Sequence, residues 1–98
     1  MKKPEMATNS MNDLEILEDL LGLLEENGIE IRREPLGGQG GGLCMMKGKK
    51  LFFADTNADS ADVAALCAGV IAENVDIESI YLRPEVREFI ENYAKEKQ

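Results

Sequence analysis

The stretch 29-IEIRREPLGGQGGGLCMMKGKKLFFA-54 decides the fold, because it holds three strand-like runs separated by strong turn signals. Ile29-Glu30-Ile31-Arg32 alternates apolar and polar residues with the period of two that a half-buried strand shows. Pro35 limits that strand, since proline cannot donate to a ladder. Five glycines in the six residues from Gly37 to Gly42 then predict a mobile connection, with close backbone packing at Gly41 and Gly42 as a structural alternative. Leu43 to Met46 and Leu51 to Ala54 read as two strands of a hairpin, turned at Lys47-Gly48-Lys49-Lys50.

Outward from this centre the pattern becomes helical. Upstream, Leu14, Leu17, Leu20, Leu21 and Leu24 recur at helical spacing, widened by Ile16 and Leu23. Asn12 as N-cap places Glu15 at the third helical position of a capping box, with Met11 spaced to staple Ile16. Gly28 suits a left-handed stop. Downstream, Asp59 or Ser60 is placed to cap a helix carrying Val63, Leu66, Cys67, Val70 and Ile71, whose small residues from Ala61 to Gly69 permit close approach of a neighbour. The run Ile77 to Leu82 fits a helical turn or a short strand. Pro84 opens a last helix with Val86, Phe89, Ile90 and Tyr93 on one stripe.

These elements predict an α+β fold: a helix, a three-stranded antiparallel sheet containing a hairpin, then two helices packed on one sheet face. Ninety-eight residues fit one domain, expected over 12–98 behind a disordered tail at 1–11. The expected core is Leu17, Leu20, Leu24, Ile31, Leu51 or Phe53, Leu66, Val70, Phe89 and Ile90.

Nineteen acids against eleven bases give a net charge of −8, which disfavours nucleic acid and anionic membrane as partners. The charge is uneven: Ile29 to Ala54 carries five bases against two acids, between flanks that are acidic. Arg32, Arg33 and the three hairpin lysines beside Phe52 and Phe53 resemble a nucleic-acid surface, yet no RNP-like run is present. No apolar run has a membrane-spanning length of ~18 residues, and Lys2 and Lys3 are followed by no signal-like apolar stretch. Two cysteines without CxxC spacing point to reduced thiols, and the chain is read as cytoplasmic.

No histidine is present, which disfavours imidazole-assisted nucleophiles and most zinc sites. The order of helix, strand, hairpin and helix resembles the front half of small zinc-dependent peptidase domains, but the helix that would carry HExxH reads Ala64-Ala65-Leu66-Cys67-Ala68-Gly69. Asp55-Thr56-Asn57-Ala58-Asp59 copies the opening of a calcium loop, but Ser60 stands in place of the sixth-position glycine and Leu66 in place of the terminal glutamate. A Walker loop ending at Gly48-Lys49 would need Gly at 43 and Ser or Thr at 50, where Leu43 and Lys50 stand. Neither a metal nor a cofactor is expected, and no catalytic set is complete.

The leading expectation is therefore a non-catalytic interaction module that binds a protein partner or a second copy through the sheet and the last helix. The alternative is a small-molecule or anion-binding protein or enzyme using the Gly37 to Gly42 loop and Cys44, whose thiolate nearby lysines would favour. Either reading draws on Gly40, Gly41, Gly42, Cys44, Lys47, Lys49 and Lys50. A concave pocket beside Cys44 would favour the ligand reading, and a flat apolar patch the module.

Overall fold

A computed structural model describes residues 12–39 and 41–97, so the tail expected at 1–11, including Met11, and Gly40 lie outside the described residues. The elements are α1 (Asp13–Glu26), β1 (Glu30–Glu34), β2 (Gly41–Met46), β3 (Lys49–Asp55), α2 (Ser60–Asn74), a 3-10 turn (Ile77–Ser79) and α3 (Pro84–Lys97). The fold is α+β, and Ile77 to Ser79 takes the helical alternative.

Local chemistry sets the ends of α1. The Asn12 side chain accepts from the Glu15 amide at 2.8 Å while the Glu15 carboxylate accepts from the Asn12 amide at 3.2 Å, a complete capping box. At the other end Gly28 adopts φ +84°, and the Ile29 and Gly28 amides donate back to Leu24 and Glu25. This pair of bonds satisfies carbonyls the helix would leave free and turns the chain straight into β1.

The sheet order is β1-β3-β2, with β2 antiparallel and β1 parallel to β3. The sheet is thus mixed, which corrects the purely antiparallel expectation. Its cause is the position of β3. Among the described residues Leu51-Phe52-Phe53-Ala54 is the only strand run with four consecutive buried or half-buried apolar residues, and it takes the centre, where both edges are paired. A strand inserted between two others that are joined by a reversal runs parallel to one of them.

Register assigns the faces. Ile31, Phe52 and Leu43 lie in one row, and Arg33, Ala54 and Gly41 in the next, on the side covered by helices; Phe52 and Ala54 are buried in the core cluster. Leu51 and Phe53 point to the opposite side. Leu51 is buried there outside the main cluster, Phe53 is half-buried, and Phe52 is the strand's fully buried core residue. Of the two alternatives weighed from the sequence, Leu51 is thus buried, but on the face away from the helices, while the strand's phase sets Phe52 into the main cluster.

Helices α1 and α3 both pack on α2, making one layer over this face. In α2 the buried stripe is Val63, Ala64, Cys67, Ala68 and Ile71, while Leu66 and Val70 are only half-buried. The small side chains set the approach: a Cβ built on Gly69 would come within 2.9 Å of the Tyr93 ring of α3. In α3, Val86 and Ile90 are buried and Phe89 packs half-buried against the cluster. Leu14, expected on the α1 stripe, is exposed. Asp59 occupies the N-cap position of α2 without a side-chain cap bond.

Candidate functional site

The hairpin turns in two residues. Met46 pairs with Lys49, and Lys47 and Gly48 between them have φ of 54° and 79°. Two successive left-handed residues match the twist of the flanking strands, and glycine at the second makes this accessible. Lys49 and Lys50 consequently belong to β3, rather than to the turn. Residues facing one another across a ladder share a side, so Lys49 lies on the side of Cys44 and Lys50 on the helix side, where its amine donates to Asn74 Oδ1 at 3.2 Å. The lysines are thus divided between the two faces.

The glycine-rich segment is tied at both described ends. The amides of Leu36 and Asn57 each donate to Asp55 Oδ1 at 2.8 Å, so the buried Asp55 carboxylate joins the segment after β1 to the turn after β3. Gly37 and Gly38 turn the chain with φ of 79° and 85°. At Gly41, φ is +88° and a Cβ would collide with the Phe53 carbonyl, so close backbone packing requires glycine there. The Asp55 carboxylate also explains the calcium-like spelling: it accepts a hydrogen bond from the Asn57 amide within its own turn and one from the Leu36 amide of the segment after β1. Among the described residues no group of three or more acidic or thiol side chains is arranged to hold a metal.

Cys44 is half-buried, with its Sγ 3.9 Å from the Met45 carbonyl oxygen, and Cys67 is fully buried. Three concavities are lined by other residues. One of about 320 Å³ lies between α1 and the Tyr81 to Val86 segment, one of about 180 Å³ lies over Leu14 and Thr56, and one of about 560 Å³ is lined by Gly28, Lys49 and Lys50. Cys44 lines none of these three.

What the structure brings together instead is a row of exposed apolar side chains on the outer edge of the sheet. Leu43 is 38 % exposed, Met45 60 % and Met46 49 %. The two sheet edges differ sharply in chemistry. Strand β1 is Glu30-Ile31-Arg32-Arg33-Glu34 followed by Pro35, and its charges are engaged: Arg32 bonds Glu30 at 2.8 Å and Arg33 grips Glu18 of α1 through two bonds of 2.7 and 2.8 Å. Strand β2 is Gly41-Gly42-Leu43-Cys44-Met45-Met46, without a charge or a proline. Charges and proline are the ordinary means by which a sheet edge is kept from pairing, and β2 has neither.

Leu43, Met45 and Met46 were not among the site residues expected from the sequence. The available signal was that Leu43 to Met46 is an uncharged run bordered by lysines; which strand lies at the edge depends on pairing with β3, which no local run of residues displays. No family model, curated protein or solved structure matches this chain.

Proposed function

We propose that this chain is a small non-catalytic interaction module of a reducing, cytoplasmic compartment, and that it docks an extended protein segment on the outer edge of β2. The observation that carries this reading is the uncharged edge itself, with Leu43, Met45 and Met46 exposed along it. Strand addition supplies affinity through main-chain hydrogen bonds and selectivity through alternate side chains. Lys47 in the turn, with Lys49 and Lys50 at the start of β3, would orient an acidic partner; exposed ion pairs contribute only ~0.2 to 1 kcal/mol each, so apolar contact must supply most of the affinity. The last helix directs Val86 and Ile90 into the core, which leaves the hairpin as the favoured surface. Two unpaired cysteines, one of them buried, accord with a reducing compartment. The ligand-binding alternative draws less support, because the Leu36 amide is already bonded to an internal carboxylate and Cys44 lines none of the concavities described above.

A synthetic peptide alternating valine and threonine between flanking glutamates tests the reading. Titrated into isotope-labelled protein, it should shift the amide resonances of Leu43 and Met45 most and slow their exchange with solvent. Shifts confined to α1 or α3, or none at millimolar peptide, would overturn it.

A further inference from the structure

We infer that the occupant of this edge is β2 of a second copy of the chain, antiparallel and centred on Cys44, joining two three-stranded sheets into one of six strands. This rests on the edge-docking reading and adds the partner and its register.

The hydrogen-bond phase of the hairpin comes first. A two-residue loop makes its flanking residues, Met46 and Lys49, a hydrogen-bonded pair, and antiparallel ladders alternate bonded with non-bonded pairs. Cys44 and Leu51 are then bonded to each other, while the N–H and C=O groups of Leu43 and Met45 point away from β3. Gly41, at φ +88°, leaves the extended conformation, so Leu43 and Met45 are the residues able to carry a new ladder. A two-fold axis at Cys44 sets Leu43 against the partner's Met45, and Met45 against the partner's Leu43. Each pair exchanges two bonds, so every outward group of these residues is satisfied.

Side chains agree with that register. Leu43 and Met45 share the helix-side face, so the two copies bring four partly exposed apolar side chains into one cluster. On the other face Met46, 49 % exposed, falls opposite the partner's Gly42, the smallest residue beside one of the largest. Charge selects the antiparallel direction. The hairpin carries Lys47 in its turn and Lys49 and Lys50 at the start of β3 beside it, while its open end leads into the exposed Asp59 and Asp62. Antiparallel pairing lays each lysine turn beside the partner's acidic end, and parallel pairing would stack the two lysine turns together. The β1 edge offers no equivalent, being charged at four of its five positions.

In this register Cys44 and the partner's Cys44 form a non-bonded pair, with Cα atoms roughly 4.5 Å apart, inside the span a disulfide bridges. Leu43 and the partner's Leu43 lie diagonally, beyond roughly 7 Å, and so do the two Met45 residues. That contrast supplies the test. Light scattering should give a mass approaching twice 10.8 kDa as concentration rises, and Met45→Lys should return it to a monomer whose melting temperature matches that of the native chain at dilutions where it too is monomeric. Under diamide, which accepts the two protons and two electrons released by two thiols, the native chain should form a disulfide dimer. Cys67→Ser should retain that dimer and Cys44→Ser should lose it. With Cys44 changed to serine, Leu43→Cys and Met45→Cys should cross-link at least about tenfold more slowly than native Cys44.

A protein that stays monomeric at all concentrations overturns the inference, even if the peptide titration succeeds and the docking reading stands. A dimer in which Leu43→Cys or Met45→Cys cross-links faster than Cys44 overturns the register, and a dimer indifferent to Met45→Lys places the interface elsewhere. Failure of the peptide to bind alongside a Cys44-centred dimer would instead count against docking of other segments.

Discussion

Cys67 and Cys44 have the same side chain in opposite surroundings. Cys67 has no exposed surface within α2, and desolvation pushes its pKa from 9.0 up to about 12, against a smaller opposing pull from Arg33. Only the thiolate is nucleophilic. A thiol reagent at neutral pH should therefore modify one cysteine, Cys44, in the folded chain and two once it is denatured, as intact mass will show. The same shift has a stability consequence. Between 9.0 and about 12 the unfolded chain releases the Cys67 proton while the folded chain retains it, so this contribution is intact below pH 9 and declines as pH rises through that window. Denaturant titrations should show an alkaline loss of stability that Cys67→Ala removes. Gly41 teaches the complementary lesson at this scale. Its glycine count is visible in the sequence, but the Phe53 carbonyl that forbids a Cβ there is brought from twelve residues away by the ladder.

Between elements, the contact between β1 and α1 depends on a surface ion pair. Arg33 donates two bonds to the Glu18 carboxylate, and these bonds hold the Glu18 pKa below its ordinary 4.5. A depressed carboxylate pKa adds stability that is complete above the ordinary value and is lost as pH falls through the lowered one. Both side chains are about half exposed, so solvent screening keeps the pair's worth within ~0.2 to 1 kcal/mol. Glu18→Gln should lower neutral-pH stability by an amount in that range, and the difference from the native chain should vanish in acid below the carboxylate range and shrink in high salt. An unchanged difference at low pH would assign the effect to packing. Element positions were largely legible: the capping box at Asn12, the stop at Gly28 and the start at Pro84 are all local chemistry. Neither the pairing of Arg33 with Glu18, fifteen residues apart, nor the tie between Asp55 and Leu36 leaves a local signal.

At the scale of the molecule, the described helices form one layer over one sheet face, with Phe52 fully buried in the main core cluster beneath them. Phe52→Ala should cost about 3 to 5 kcal/mol in urea unfolding, since it leaves a cavity that its neighbours close only partly. Phe53→Ala should cost clearly less, because its ring lies half-buried on the other face. Equal costs would mean that the face away from the helices is as closely packed as the core. The candidate site follows the same division. Its lysines and glycines were evident, whereas its exposed Leu43, Met45 and Met46 became visible only once β2 was found at an edge.

The sequence by itself determined the class, the number and order of elements, and the helix ends, because periodicity, caps and turn residues act over a few neighbouring positions. Only the tertiary structure decided that β3 lies between β1 and β2, that Phe52 rather than Phe53 faces the helices, and that the uncharged strand is left at the rim. Those outcomes depend on which strands pair across long separations. Strand order follows from the competition of whole strands for a centre buried on both edges, and no local window of residues contains that competition.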